Sequence, residues 1–352
     1  MPIRVATVRA ADVPATQTDF PIFVDLGRVG ATALTLAEAE SSRWYTDTDL
    51  VTQMAREIVS LTEGHGKYAS LTSTSKIAID YDGIRADYAV GDTFGRNAVW
   101  SDYARVYHLK EGSGNRTDST GNTDVTGTTR GAVAGIIGNA NDFEESSLDY
   151  LTSANTGVVN LTNISIEIAF KAESFTDLYP VLAGVWDDLS GDKRSWCLAF
   201  IGSNLYFYVS DNTQNSGLDT LSSANLSTAT NYYSTHTFEG LATSNFHSRI
   251  NGNSYTKTST VANSVGNPTA AFTIGRAVSF AGQPAGGGNY WDGLIDEVRI
   301  RTDVLSANWH TTKYNNQSAE STFWGTWTTF SGGGGFTPNP LMHMRMMAGG
   351  MV

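Results

Sequence analysis

Two acids stand side by side in Gly293-Leu294-Ile295-Asp296-Glu297-Val298-Arg299-Ile300, a run patterned like a strand. Strict alternation sets Leu294, Asp296, Val298 and Ile300 on one face and Ile295, Glu297 and Arg299 on the other. A carboxylate in an apolar row needs hydrogen bonds or a cation, because burying it alone is costly. A second acid, Asp118, opens the turn-rich loop Asp118-Ser119-Thr120-Gly121-Asn122. Hard cations such as calcium take several oxygens from carboxylates and backbone carbonyls. Asp118 and Asp296 are therefore candidate calcium ligands, with carbonyls of Gly121 or Asn122 beside them. The competing reading is that Asp118 caps a turn and Asp296 accepts backbone hydrogen bonds.

Saccharide chemistry is the other candidate. Sugar sites combine an aromatic platform with Asn, Asp and Gln side chains. Trp186-Asp187-Asp188, Asp211-Asn212 and Asn289-Tyr290-Trp291 offer such groups in loop-like contexts. The plainer alternative is that Trp186 and Trp291 fill the core, as large aromatics usually do. Cleaving a glycosidic bond with retention needs two carboxyl groups ~5–5.5 Å apart. On a strand that means acids two or four positions apart. Ile164 to Phe170 offers only Glu167, while Asp296/Glu297 and Glu144/Glu145 are adjacent and point to opposite faces. The chain is expected to hold a ligand and not to be an enzyme.

Other catalytic templates fail. His65, His108, His236, His247, His310 and His343 are scattered, and His108, in an alternating run, reads as a packed histidine. The one cysteine, Cys197, lies in the apolar run Trp196 to Phe200 and reads as a buried thiol. Gly332 to Gly335 lacks the Lys and the strand–helix setting of a phosphate loop.

The elements that position these residues are β-strands. Hydrophobic residues make up 40% of the 352 residues, enough for a packed core, and charged residues only 16% against a typical ~25%. Gly, Ser, Thr and Asn fill the difference, which suits short strands and tight turns. Ile164, Ile166, Ile168 and Phe170 alternate, as do Leu205, Phe207 and Val209. Asn251-Gly252 and Asp82-Gly83 are strong hairpin-turn dipeptides. Residues 49–61 fit either a helix or two short strands; strands are preferred. Ser306 is a good N-cap for a helix that places Leu305 and Trp309 on the sandwich and Lys313 in solvent. Trp324 and Trp327 read as a closing strand or strap.

The net charge of -12 disfavours phosphate backbones, so no nucleic acid is expected as a partner. No run of ~18 apolar residues is present, so no membrane insertion is expected. The N-terminal residues do not follow a secretion-signal pattern, and synthesis and folding in a host cytoplasm are expected.

The segment 293–300, the following Leu305-Ser306-Ala307-Asn308-Trp309 and Tyr314-Asn315-Asn316-Gln317 resemble the last strand and trailing helix of laminin-G-like, concanavalin A-type jelly rolls. Ala104 to Leu109 is similar to their opening strand, Asp118 to Asn122 to the loop after it, and Phe143 with Leu148 to Leu151 to the next strand pair. Residues 1–97 resemble, in part, a small β-domain that often precedes such jelly rolls in bacterial and phage proteins, through Phe20-Pro21, Tyr68 to Leu71, Ile77 to Tyr81 and Val99 to Tyr103. The resemblance implies an all-β fold: a small β-rich domain at 1–97, an antiparallel sandwich at 98–330, and a Gly/Met-rich flexible tail or docking peptide at 331–352. It also implies calcium near the loops. With the lack of a secretion-signal pattern, the tight modular layout and the Gly/Met-rich end, it suggests a bacteriophage virion protein (tail fibre, tail tip or head decoration) contacting host-surface glycan. Other virion subunits and a homo-oligomer are expected partners. A purely architectural subunit and a bacterial adhesin are the alternatives.

Overall fold

The computed structural model describes residues 2–188, 193–211, 218–240, 245–258, 262–280 and 289–330. The expected tail at 331–352 lies outside the described residues.

The jelly roll is two antiparallel sheets stacked face to face. One runs in the order Gly131–Ala134, Asn139–Phe143, Gly293–Arg301, Asn163–Ala172, Tyr232–Glu239, Asn245–Ile250, Asn253–Thr258, with Arg105–Tyr107 also paired to Gly293–Arg301. The other runs Leu218–Asn225, Asn204–Ser210, Lys193–Ile201, Val181–Asp187, Phe272–Ile274, Tyr150–Ser153, Thr126–Thr128. Alternation builds the core: Ile164, Ile166, Ile168 and Phe170 meet Trp196, Leu198, Phe200, Leu205 and Phe207 across the sandwich. Asn251, at positive φ, and Gly252 turn the expected hairpin between Asn245–Ile250 and Asn253–Thr258.

A small unit packs beside the sandwich. Gln17–Val24, Glu63–Leu71 and Arg56–Ser60 form a three-stranded sheet, so the stretch that fitted helix or strands is strands at Gln53–Met54 and Arg56–Ser60. Ile3–Thr7, Lys76–Asp80, Arg43–Tyr45 and Gln53–Met54 form a second sheet, completed by Thr328–Thr329 from the far end of the chain. Leu305, Trp309, Phe323, Trp324 and Trp327 share one core with Phe20, Ile22, Trp44, Ile77 and Ile79.

Three expectations are corrected. Leu305 and Trp309 pack into the core of the first unit and not onto the sandwich, because the helix that starts there lies against Gln17–Val24. Lys313 does not face solvent: its Nζ donates to the Ser234 carbonyl at 2.9 Å and lies 3.4 Å from Glu167, because the helix Ala307–Ser318 is enclosed between the first unit and the sheet. The alternation across Asp296 also breaks. Ile168 pairs with Val298 and Phe170 with Ile295, so Gly293–Arg301 carries one extra residue there, a β-bulge. Ile295 thereby joins Val298 and Ile300 in the core, and Asp296 and Glu297 both turn toward the first unit.

Candidate functional site

The expected aromatic platforms are buried. Trp291 sits in the sandwich core, 5.8 Å from Phe170 and 5.3 Å from Phe200 between ring centroids. Trp186 is on the outward face of the seven-stranded sheet but is covered by Phe280 and Tyr208. Tyr290 is buried, its hydroxyl accepting from Arg276. Asn289 is fully buried, with no hydrogen-bond partner for its amide among the described residues. Asp187 accepts from the Ser279 hydroxyl, and Asp188 pairs with Arg194. Of the Asp211-Asn212 pair, Asn212 lies outside the described residues.

The same outward face carries a second pair of rings, of which Tyr206 is half-buried and Tyr208 buried against Trp186 and Phe280. Alternation puts Tyr206 and Tyr208 on it, because Leu205, Phe207 and Val209 point into the core. Their rings stack with centroids 5.8 Å apart and planes 25° apart. Tyr206 is half-buried and pairs in register with exposed Ser222; Tyr208 pairs with Thr220. Tyr179, also half-buried, packs on Phe280 at the rim. A half-open aromatic ring beside an exposed hydroxyl, as at Tyr206 and Ser222, is a pattern that saccharide rings and their hydroxyls fit.

The two proposed calcium ligands are not brought into one site; they share no hydrogen-bond partner. Asp118 Oδ1 accepts from the Val106 and Thr120 N–H groups and the Thr120 hydroxyl, and Oδ2 from the Thr123 N–H and Arg105. Five donors leave it no lone pair for a cation, so it is a turn cap. Asp296 Oδ2 accepts from Ile136 at 2.7 Å and Ile137 at 2.6 Å. Burial, then Glu297 and Glu63, hold Asp296 well above the usual carboxylate range.

A cluster that alternation hid lies between the two units. His108 Nδ1 is 2.5 Å from Glu297 Oε1, and its Nε2 is 3.0 Å from Glu57 Oε2. Glu57 also accepts from the Trp100 indole at 2.5 Å and the Ser119 hydroxyl at 2.8 Å. Arg299 donates to Glu297 Oε2 at 2.6 Å and lies over the Trp100 ring. His65 stacks on His108 and meets Glu63 Oε1 at 3.0 Å. Burial opposes every charge here, so neighbours decide. Glu297 and Glu57 outweigh burial and hold His108 well above the usual imidazole range. Arg299 and His108 likewise hold Glu297 well below its range, while burial pushes Glu63 up to about 8. Burial, then Arg299 and His108, keep His65 far below its range. The only sequence signal was His108 in an alternating run, the residue after the strand Arg105–Tyr107, with no hint of what it would meet.

Stacked antiparallel sheets of this order define the lectin-like jelly-roll class. Residues 145–309 match the family described as the Concanavalin A-like lectin/glucanases superfamily, so this part of the chain is a concanavalin A-like jelly roll. No curated protein matches the chain. Among solved structures it is similar to domain 4 of a GH43 extracellular arabinanase from Geobacillus stearothermophilus in complex with arabinotriose, at 18% identity over 60% of this chain and 98% of that one, TM-score 0.42. The binding domain of Paraclostridial Mosquitocidal Protein 1 is similar at 13% identity over 61% and 52%, TM-score 0.47. A Trypanosoma rangeli sialidase is similar at 10% identity over 62% and 34%, TM-score 0.45. The chain thus spans about half of the second and a third of the third. These likenesses concern the fold alone.

Proposed function

We propose that the protein is a saccharide-binding jelly-roll protein that holds its ligand without cleaving it. The binding surface is the outward face of the seven-stranded sheet. The observation that carries this reading is the stacked pair Tyr206 and Tyr208, with Ser222 and Thr220 beside it. A reading without cleavage is supported by the closely clustered acids Glu57, Glu63 and Glu297 being buried between the units, where no polysaccharide fits.

The setting we propose is the surface of a bacteriophage virion, contacting host-surface glycan and assembled as a homo-oligomer with other virion subunits. The partial likeness of residues 1–97 to a module found ahead of jelly rolls in bacterial and phage proteins supports it. Purified chain on a glycan array should bind, and Tyr206→Ala should abolish binding while the melting temperature stays close to wild type. A blank array, or unchanged binding by Tyr206→Ala, would sink the site. Peptides of this chain in purified particles would support the setting, and their absence would remove it.

A further inference from the structure

The faces that meet between the units bring four metal-ligating side chains together. Glu63 and His65 come from the strand Glu63–Leu71 of the first unit; His108 and Glu297 come from the jelly roll. One ligand atom from each lies within 4.8 Å of all the others. Glu63 Oε1 is 3.0 Å from His65 Nε2 and 3.2 Å from His108 Nδ1. Glu297 Oε1 is 2.5 Å from His108 Nδ1 and 4.0 Å from His65 Nε2. A tetrahedron with ~2.0–2.1 Å bonds to nitrogen and oxygen has edges of about 3.3 Å. The four observed distances bracket that edge.

We propose that Glu63, His65, His108 and Glu297 bind one zinc-class divalent ion that fastens the first unit to the jelly roll. Hydrogen bonding alone serves these atoms badly. His108 Nδ1 faces two carboxylate oxygens with one N–H to give, and the second oxygen of Glu63, fully buried, has no partner among the described residues. An orphaned buried carboxylate oxygen is costly, and a cation bound by the same carboxylate offsets the charge it carries. Two imidazoles and two carboxylates neutralise a divalent ion and suit a borderline metal; calcium wants six to eight oxygens.

The surrounding shell is the kind that orients ligands. His108 Nε2 rests on Glu57, which Trp100 and Ser119 hold, so the imidazole presents Nδ1 inward. Arg299 occupies the outer oxygen of Glu297 and leaves the other turned to the site. A cavity of about 60 Å³ lined by Glu57, Arg96, His108, Lys110 and Ser119 reaches the His108 ring from the Glu57 side.

The test uses the full chain, stripped with chelator and loaded with zinc or cobalt(II). One ion per chain by elemental mass spectrometry, a raised melting temperature and a cobalt-shifted Trp100 indole resonance are expected. Trp100 lies 5.5 Å from the His108 ring, so this shift locates the metal without any substitution. Glu63→Gln and His65→Gln should each lose uptake at least tenfold. No uptake of either metal by the wild-type chain, or uptake that leaves Trp100 unshifted, would overturn the site.

Discussion

His108 Nδ1 and Glu297 Oε1 stand 2.5 Å apart although 189 residues separate them in the chain. One lies just beyond the strand that opens the jelly roll, the other in a bulge of the strand near its end. Glu57, from the first unit, closes the far side of the same imidazole at 3.0 Å. The orientation of the two units therefore rests on charges removed from water. Such contacts bring little net stability when complete but are damaging to break.

Glu57→Gln keeps the shape and removes the charge opposite His108. Burial disfavours the Glu57 carboxylate, but His108, Trp100 and Ser119 bring it below the usual range, so its charge is wanted there. A loss of about 3 kcal/mol is expected in urea unfolding followed by tryptophan fluorescence. A change under ~0.5 kcal/mol would show that the contact is not maintained in solution.

The first unit is completed by the end of the described chain. The Trp324 indole donates to the Phe23 carbonyl at 2.9 Å, and its ring lies in the core with Trp44 and Ile22. Trp324→Ala should cost about 3–5 kcal/mol. A chain ending at residue 304 should leave residues 1–97 open to protease while the jelly roll survives. Equal protease resistance of both units in the shortened chain would contradict this.

Period-two patterning made the sandwich legible: the rows Ile164 to Phe170 and Leu205 to Val209 point where alternation sets them. The buried cluster was not legible, for one physical reason. Glu63, His65, His108 and Glu297 come from segments far apart in the chain, and alternation gives the face each takes but not what that face meets. Trp186 and Trp291 misled for another. A tryptophan beside acids and amides fits a sugar platform and a core plug equally well, and only the partners Phe280 and Phe170 decide. Tyr206, on which the proposed saccharide surface rests, lies inside a strand, where no loop drew attention to it.

Asp118 separates a turn cap from a cation site. Its five accepted hydrogen bonds mean that Asp118→Asn turns an NH2 against existing donors, at about 2–3 kcal/mol. Calcium added to the wild-type chain should leave the melting temperature unchanged. A rise that Asp118→Asn abolishes would restore calcium to this loop.

Two histidines outside the cluster set the acid response. His236 is enclosed in the sandwich between Ser248 and Ser234, and burial, then Lys313 and His310, push it down to about 3. His310 bridges Thr235 and the Asn251 carbonyl, and burial, then Lys313, lower it to about 4. Unfolded histidines take up protons near 6.5, so between pH 6.5 and these values the unfolded chain binds more protons and stability falls as pH falls. Glu320 opposes this: burial outweighs its Arg28 partner and raises it to about 7, so stability rises as pH falls from 7 to 4.5. Below 4.5 that compensation ends and the histidine loss stands alone among these three groups. For His236 the loss between pH 7 and pH 4 is about 3 kcal/mol. His236→Gln, neutral throughout, should lose stability at pH 7 but show a shallower decline to pH 4 than wild type. Parallel pH profiles for the two chains, measured by urea unfolding, would show that His236 charges without cost and is not enclosed in solution.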